Sequence, residues 1–461
     1  MLSVKTPNDA GAPVKDYEIK VPGTFVLRKQ VRFLEERLTG RGIEIIQGSR
    51  HAGKTTVAHQ LMLHLLLKKQ VSPRHIVYIP CEWFKEAKWL ADPLLFCENI
   101  RSITGTENVT YLFFDGMASV RNPLSFFSRI IEHHPFFKVV ACADHKIDVP
   151  ENMVALDQRN MRITNLYPIS TVEWAGFHDG QLIEEVRKNI YSSMEKGQLT
   201  DIKMMDRQYG AFIKERFYET ALFGGYPRVL LVAREKRFEE IENIYTAFFE
   251  PRALSEQGID KPELIKQLFK VLSSQVDRLV NFSELSDLLK ASPITIKKYH
   301  ASLTNNFLLY AMGSLKGKKS GEIKQAQKSF FGDSGILNLV SEQRRNHILA
   351  TSANGITNAL CGELIKNLNY KNKLLFWQTN TGTNVDFVVE SGKKFLVPIV
   401  IKFGEARPKK LTRSLHSFIK TYKPQRAIFV NESLIDHDKV SGTEVLYLPY
   451  YWVPVLEGLW Q

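Results

Sequence analysis

The first third of the chain alternates short apolar runs with longer amphipathic segments. Five runs rich in Val, Ile, Phe and Tyr are too short for helices and predict β-strands. They occupy residues 43–46, 75–80, 109–115, 137–143 and 163–169. The segments between them are helical in tendency, and another amphipathic helix is expected over residues 25–38. This alternation predicts a parallel sheet with helices on both of its faces.

The pattern changes after residue 170. A helical lid with charged segments is expected over residues 171–258, and a separate helical unit over residues 259–328. Residues 329–461 return to mixed helices and strands. The predicted fold class is therefore α/β, with a loose N-terminal arm at residues 1–24 and a parallel-sheet core at residues 25–170.

The junction between the first predicted strand and the helix after it has the spacing G-x-x-x-x-G-K-T. Gly48 and Gly53 permit a tight turn whose backbone N–H groups point at phosphate oxygens. Lys54 supplies a positive charge for the β- and γ-phosphates, and the Thr55 hydroxyl is a Mg²⁺ ligand. The predicted nucleotide contacts are Gly48, Ser49, Arg50, His51, Ala52, Gly53, Lys54, Thr55 and Thr56. The motif predicts a P-loop that binds ATP and Mg²⁺.

A carboxylate ends the third predicted strand, at Asp115. This resembles the Walker B pattern, in which the aspartate orders Mg²⁺, so Asp115 is predicted to act with Lys54 in catalysis and with Thr55 as a metal ligand. In AAA+ ATPases the next residue is usually a glutamate that polarises the attacking water, and here it is Gly116. Asp144 and His145 are alternative polar groups near the γ-phosphate, or solvated loop residues. Hydrolysis is therefore expected to be slow, or to need a group from a partner.

The helical unit at residues 259–328 contains a helix-turn-helix spacing around the turn at residues 290–293. The second helix carries Lys297 and Lys298, and a lysine-rich segment follows where a winged-helix hairpin would contact phosphates. The candidate DNA contacts are Lys297, Lys298, Lys316, Lys318 and Lys319. The alternative is a protein–protein module.

Charge and composition limit the kinds of partner and the cellular compartment that are expected for this protein. Residues 251–461 hold 29 Lys and Arg against 18 Asp and Glu, whereas residues 1–250 hold 33 against 31, so the C-terminal half favours a polyanionic partner. No apolar run is long enough to span a bilayer, and residues 1–20 lack the apolar core of a signal peptide. The four cysteines are far apart and form no C-x-x-C pair. A cytoplasmic protein with reduced thiols and no membrane partner is expected.

From about residue 25 the chain resembles a family of prokaryotic AAA+-type ATP-binding proteins whose C-terminal domain is similar to PD-(D/E)xK nucleases. The order and spacing of the matching segments beyond the P-loop are specific together. These segments are 111–115, 167–170, 224–227, 331–335, 362–364, 384–387 and 398–402. The resemblance implies a P-loop core with a helical lid, a winged helix and a restriction-endonuclease-like domain at residues 329–461.

The nuclease resemblance also implies a metal site made of two acids and a lysine. By position, Asp386 matches the first acid, Lys402 the lysine and Glu363 an acid carried on a helix. The middle acid falls at residue 400, where this chain has Val400, and valine cannot bind Mg²⁺. Glu390 and Glu405 are substitutes from nearby, but a degenerate site without nuclease activity is the favoured interpretation.

Three functional hypotheses follow. The first is an ATP-binding AAA+-like protein that acts as a nucleotide-dependent switch or a slow ATPase, with Arg159 as a candidate γ-phosphate sensor. The second is a DNA-binding or DNA-processing protein that uses the basic C-terminal half and contacts duplex DNA. The third is a scaffold that binds a protein partner or a second copy of itself.

Overall fold

The computed structural model describes residues 3–7, 15–20, 23–39, 42–84, 86–105, 108–120, 122–148, 161–196, 199–315, 322–323, 326–341, 352–368, 372–392, 395–403 and 411–456. The chain divides into two compact units, Met1–Pro168 and Ile169–Gln461. Each unit has its own sheet and its own apolar core.

The first unit is a seven-stranded sheet in the order β2-β1-β4-β5-β6-β3-β7. Its strands are β1 (Ser3–Thr6), β2 (Lys15–Glu18), β3 (Gly42–Gln47), β4 (Ile76–Pro80), β5 (Thr110–Asp115), β6 (Phe137–Ala143) and β7 (Met161–Asn165). Its α-helices are α1 (Lys29–Arg37), α2 (Lys54–Leu67), α3 (Lys88–Ala91), α4 (Pro93–Thr104) and α5 (Pro123–His133). Short 3₁₀ turns lie at Pro73–His75, Cys81–Phe84 and Met117–Ser119.

The five predicted strands are present as β3 to β7, although β7 covers Met161–Asn165 and not the predicted residues 163–169, and all their pairings are parallel. Every residue of β3, β4 and β6 is buried, as expected for strands that have helices on both faces. One face packs on α1 and α2, and the other face packs on α4 and α5. The parallel α/β core predicted from the apolar runs is confirmed.

The prediction of a loose N-terminal arm is wrong for the described residues. β1 pairs with β2 in antiparallel register and with β4 in parallel register, so the sheet continues into residues 3–6 and 15–18. Val4 is fully buried in the core beside α2. The apolar pattern was too short to indicate a strand, because β1 has only two buried positions and depends on pairing with the distant β4.

The second unit contains twelve α-helices among the described residues, most of them before its larger sheet along the chain. They are α6 (Thr171–His178), α7 (Gly180–Lys196), α8 (Leu199–Phe223), α9 (Pro227–Leu230), α10 (Arg237–Phe248), α11 (Pro251–Glu256), α12 (Pro262–Ser273), α13 (Phe282–Leu289), α14 (Pro293–Asn305), α15 (Ser334–Val340), α16 (Ala353–Asn367) and α17 (Arg413–Tyr422). A two-stranded antiparallel sheet, β8 (Leu309–Gly313) and β9 (Gln327–Phe331), lies between α14 and α15 along the chain. Short 3₁₀ turns lie at Arg234–Lys236 and Tyr450–Val455.

The larger sheet of this unit has six strands in the order β10-β11-β12-β13-β15-β14. They are β10 (Asn372–Gln378), β11 (Asn384–Ser391), β12 (Phe395–Ile401), β13 (Arg426–Asn431), β14 (Asp436–Val440) and β15 (Thr443–Pro449). One apolar cluster runs from Val172 on α6 to Leu456, and a second lies between the sheet and α17. The three regions predicted as separate domains, 171–258, 259–328 and 329–461, therefore share one continuous core.

The helix-turn-helix spacing corresponds to α13 and α14, each of which begins with a side-chain cap. Asn281 Oδ1 accepts the Ser283 and Glu284 N–H groups, and Ser292 Oγ accepts the Thr295 N–H. β8 and β9 follow α14, whereas the lysine-rich segment at residues 316–321 lies outside the described residues. Asn281 caps the start of α13, and Ser292 followed by Pro293 caps the start of α14.

Candidate functional site

The P-loop leaves the carboxyl end of β3, which lies between β6 and β7, and enters α2. A Cβ on Gly48 would lie 2.0 Å from the Leu166 carbonyl oxygen, so no larger residue fits there. Gly53 has φ +96°, a backbone conformation that favours glycine. All nine predicted nucleotide-contact residues, 48–56, lie on this loop or on the first turn of α2. The predicted strand–loop–helix context is confirmed.

Lys54 is buried at the first position of α2. Its ammonium donates to the carbonyl oxygens of Gly48 (3.0 Å) and Ser49 (2.8 Å) and lies 2.6 Å from Asp144 Oδ1. Asp144 follows directly after β6, and its side chain is 44% exposed. Lys54 is thus held at the mouth of the loop by the loop itself and by one carboxylate.

Thr55 and Asp115 are brought together across the sheet edge. Thr55 Oγ1 donates to Asp115 Oδ2 at 2.8 Å, and the Tyr78 hydroxyl donates to the same oxygen at 2.8 Å. Burial and the Asp115 charge raise the pKa of Tyr78, so Tyr78 stays protonated as a donor. A hydroxyl and a carboxylate are the hard oxygen donors that Mg²⁺ prefers in P-loop sites, where the phosphates complete the shell. The two predicted metal ligands fit that ion.

Tyr78 belongs to a small aromatic group that the sequence did not indicate. The Tyr17 ring on β2 packs on the Tyr78 ring with centroids 4.3 Å apart, and the Tyr17 hydroxyl is 3.3 Å from His59 Nε2. His59 Nδ1 is 2.9 Å from the Lys20 carbonyl oxygen, and burial lowers the pKa of His59. The N-terminal strands therefore contact Tyr78, the hydrogen-bond partner of Asp115. No local motif marks Tyr17, because it reaches Tyr78 only through the pairing of β1 with β4.

Arg28 is a second residue that the sequence did not indicate. Its guanidinium is buried, donates to the Ala52 carbonyl oxygen of the P-loop at 3.0 Å and also donates to the Tyr167 carbonyl oxygen. Arg28 thereby fixes the back of the loop to the segment that follows β7. The predicted phosphate sensor Arg159 lies outside the described residues.

Of the residues of the predicted nuclease site, Asp386 lies beside the backbone next to Lys402, whereas Glu363 has other partners. Asp386 Oδ2 accepts the Ile401 N–H at 2.7 Å, and burial raises the pKa of Asp386 to about 6, although the Lys402 charge partly opposes the rise. Val400 is buried against α17 in the core of the sheet. Among the described residues, no group of three or more His, Cys, Asp or Glu side chains is arranged to hold a metal ion.

Glu363, the third predicted nuclease residue, has a different environment. Its carboxylate is buried, accepts the Thr171 N–H at the start of α6 at 3.0 Å and pairs with Lys366 at 3.0 Å. Lys366 also donates to the Ile169 carbonyl oxygen at 3.1 Å. Glu363 therefore anchors the segment at the start of the second unit. Its contacts are those of a residue with a structural role. Glu405 lies outside the described residues.

The segments 224–227 and 331–335 meet beside this anchor. Asp333 Oδ2 accepts the Gly225 N–H at 2.7 Å, and Oδ1 accepts the Gly335 N–H at 2.9 Å. Burial raises the pKa of Asp333, and these N–H groups partly oppose the rise. A Cβ on Gly224 would lie 2.0 Å from Asp333 Oδ1. The glycines are thus needed for close approach to a buried carboxylate.

Two of the candidate DNA contacts are exposed on α14 and interact within the protein. The Lys297 ammonium lies 5.7 Å from the centre of the Phe282 ring, and Lys298 Nζ donates to the Gly258 carbonyl oxygen at 2.5 Å. Lys316, Lys318 and Lys319 lie outside the described residues. None of the helices in the described part of the chain is long and apolar enough to cross a membrane.

Three protein-family models match separate parts of the chain. The one described as an AAA domain matches residues 40–175. Two domains of unknown function match residues 214–347 (DUF8612) and 356–451 (DUF4143). Residues 40–175 are therefore an AAA domain of the P-loop ATPase class, and the nuclease-like interpretation of residues 329–461 remains a hypothesis.

Several solved structures are similar over long stretches at low identity. A Walker-type ATPase of Pyrococcus abyssi is 10% identical with TM-score 0.40, over 69% of this chain and 96% of that chain. A STAND protein (signal transduction ATPase with numerous domains) with a tetratricopeptide repeat sensor, from Pyrococcus horikoshii, is 16% identical with TM-score 0.27. The similarity covers 76% of this chain and 49% of that chain. PCH-2 of C. elegans is 14% identical with TM-score 0.23, and the similarity covers 37% of this chain and 43% of that chain. No curated protein matches the chain.

Proposed function

We propose that this protein binds Mg·ATP at the P-loop and acts as a nucleotide-dependent switch with slow hydrolysis. The backbone N–H groups of residues 48–53 hold the phosphates, and Lys54 supplies the charge for the β- and γ-phosphates. Thr55 and Asp115 hold Mg²⁺, which neutralises phosphate charge when it is bound.

The observation that carries this proposal is the contact between Thr55 Oγ1 and Asp115 Oδ2 at 2.8 Å. The two residues lie 60 positions apart in sequence and come from different elements. Their oxygens meet at the carboxyl edge of a parallel sheet, which is where ligands bind in such folds. This pairing beside a buried lysine supports a nucleotide–metal site more specifically than the motif alone.

The test is equilibrium binding of a fluorescent ATP analogue, with and without Mg²⁺. Lys54→Ala removes a charge-assisted contact and is expected to weaken binding at least about tenfold, which corresponds to about 1.4 kcal/mol. Lys68→Ala is the matched control, because Lys68 is exposed at the other end of α2. Equal affinities for the wild type and Lys54→Ala would overturn the assignment.

Slow turnover is supported by two features of the site. Gly116 replaces the usual glutamate, and Lys54 is already engaged by Asp144 and by two loop carbonyl oxygens. A triphosphate has to displace Asp144 before Lys54 can reach it. This exchange of partners gives the loop two arrangements, one for each nucleotide state, as a switch requires.

A second candidate function is binding of duplex DNA by the basic C-terminal half. It is supported by the charge excess of residues 251–461 and by the exposed Lys297 and Lys298 on α14. Affinity for a random duplex should fall steeply as the salt concentration rises, and less steeply in Lys297→Ala/Lys298→Ala. Salt-independent binding, or none, would remove this candidate.

A further inference from the structure

Gly116 occupies a position that a glutamate could not adopt without strain. Its φ and ψ are +81° and +48°, in the left-handed region, and its carbonyl accepts the Ser119 N–H in a 3₁₀ turn. A residue with a side chain costs about 1–2 kcal/mol in this conformation. The turn after β5 is thus built around glycine, and the carboxylate that polarises water in related ATPases must come from another element.

Glu82 lies in the space beside that turn. β4 runs parallel to β5, Pro80 is paired with Asp115, and Glu82 follows two residues later at the same edge of the sheet. A Cβ built on Gly116 would lie 3.7 Å from Glu82 Cγ. The side chain of Glu82 therefore reaches the region that a side chain at position 116 would enter.

The environment of Glu82 suits a proton acceptor. The residue is exposed in the 3₁₀ turn Cys81–Phe84, so its carboxylate is hydrated and accessible. Asp115, by contrast, accepts from both Thr55 and Tyr78, and Asp144 is paired with Lys54. Of these three carboxylates at the edge, Glu82 is the one that neither the metal-ligand pair nor the P-loop lysine engages.

We propose that Glu82 is the catalytic base for ATP hydrolysis in this protein, an inference that rests on the proposed function. The water oxygen forms a bond to the γ-phosphorus while the bond from that phosphorus to the bridging β–γ oxygen breaks. The water proton passes to the Glu82 carboxylate and then to solvent, and ADP and inorganic phosphate leave. Glu82, in the 3₁₀ turn that follows the neighbouring strand β4, thus takes the role of the glutamate that Gly116 replaces.

The test measures binding and turnover separately on the full-length protein. Glu82→Gln keeps the size of the side chain and removes the base, so single-turnover hydrolysis of Mg·ATP should fall about 100-fold or more, while affinity for the ATP analogue stays within about threefold. Glu98→Gln is the control, because Glu98 is exposed on α4 of the same unit. Its turnover should equal that of the wild type.

The outcomes separate the two proposals. Wild-type turnover in Glu82→Gln would overturn the role of Glu82 and leave nucleotide binding intact. Binding without any turnover in the wild type would also overturn it. Absence of binding in the wild type would overturn the proposed function, and the role of Glu82 would fall with it. Loss of turnover together with intact binding in Glu82→Gln alone would support the inference.

Discussion

Asp144 Oδ1 lies 2.6 Å from the ammonium of Lys54, so the P-loop lysine has a carboxylate partner from the end of the neighbouring strand β6. Lys54 is 6% exposed whereas Asp144 is 44% exposed, so the pair lies at the boundary between the loop and solvent. A triphosphate carries the same charge sign as Asp144 and needs the same ammonium. The two anions therefore compete for Lys54.

The first prediction concerns this competition. Asp144→Asn removes the rival charge and keeps the size of the side chain, so affinity for Mg·ATP should increase about fivefold, or by about 1 kcal/mol, as for a partly exposed ion pair. Titration of the fluorescent analogue measures this change. Weaker binding would instead make Asp144 a contact of the bound nucleotide.

The second prediction concerns Gly116. Gly116→Glu restores the usual glutamate in sequence but places it at φ +81° next to Glu82. We expect the variant to lose about 1–2 kcal/mol of unfolding free energy and to show no gain in turnover. Urea denaturation and phosphate release measure the two effects. Gly116→Ala is the control for backbone strain alone, and higher turnover in Gly116→Glu would contradict the prediction.

The contrast between Gly116 and Glu82 shows what the sequence could predict here. The P-loop, Asp115 and the strands β3 to β6 are local patterns of residue type and spacing, and all are where the sequence predicts them, whereas β7 ends four residues before its predicted end. The approach of Glu82 to Gly116 depends on the register of β4 against β5, which no short motif encodes. Tyr17 was missed for the same reason, since its strand β2 joins the sheet only through β1, which pairs with the distant β4.

The contacts of several residues in the second unit also could not be predicted from the sequence. The segments around Gly225, Asp333 and Glu363 stand out in the sequence, and family resemblance suggested a nuclease role for Glu363. The structure gives Glu363 a partner in Lys366 and the backbone of Thr171, and it gives Asp333 the N–H of Gly225. Residue type marked these positions as unusual, whereas only the packing of distant segments shows what each carboxylate contacts.

The third prediction tests the structural role of Glu363. Glu363→Ala leaves the ammonium of Lys366, whose side chain is 10% exposed, without its carboxylate, and the loss of one partner of a largely buried pair costs about 3–5 kcal/mol. Urea denaturation should show this loss, whereas Glu235→Ala, at an exposed position, should change stability by less than about 0.5 kcal/mol. Unchanged stability in Glu363→Ala would refute the anchoring role.

The fourth prediction concerns Asp386 and pH. Burial raises the pKa of Asp386 from 3.8 to about 6, so the folded protein holds this proton more tightly than the unfolded chain. Its stabilising contribution is full below about pH 3.8 and is lost as the pH rises through about 6. At about 1.4 kcal/mol per pKa unit, the wild type should lose about 3 kcal/mol relative to Asp386→Asn between pH 4 and pH 7. Unfolding curves of both proteins across this range measure the difference.

The fifth prediction has the opposite sign and serves as an internal comparison. Burial lowers the pKa of His300 to about 4 from its usual 6.5, and its Nε2 lies 2.7 Å from Ser329 Oγ. Because the folded state favours the neutral ring, its contribution is complete above about pH 6.5 and is lost as the pH falls toward 4. The wild type should therefore lose about 3 kcal/mol relative to His300→Gln over that interval. Between pH 4 and pH 6, rising pH lowers stability through Asp386 and raises it through His300, so the stability of the wild type should change little because of these two groups. Asp386→Asn should then show the contribution of His300 alone, and His300→Gln that of Asp386 alone. Parallel pH profiles for Asp386→Asn and His300→Gln would contradict both assignments.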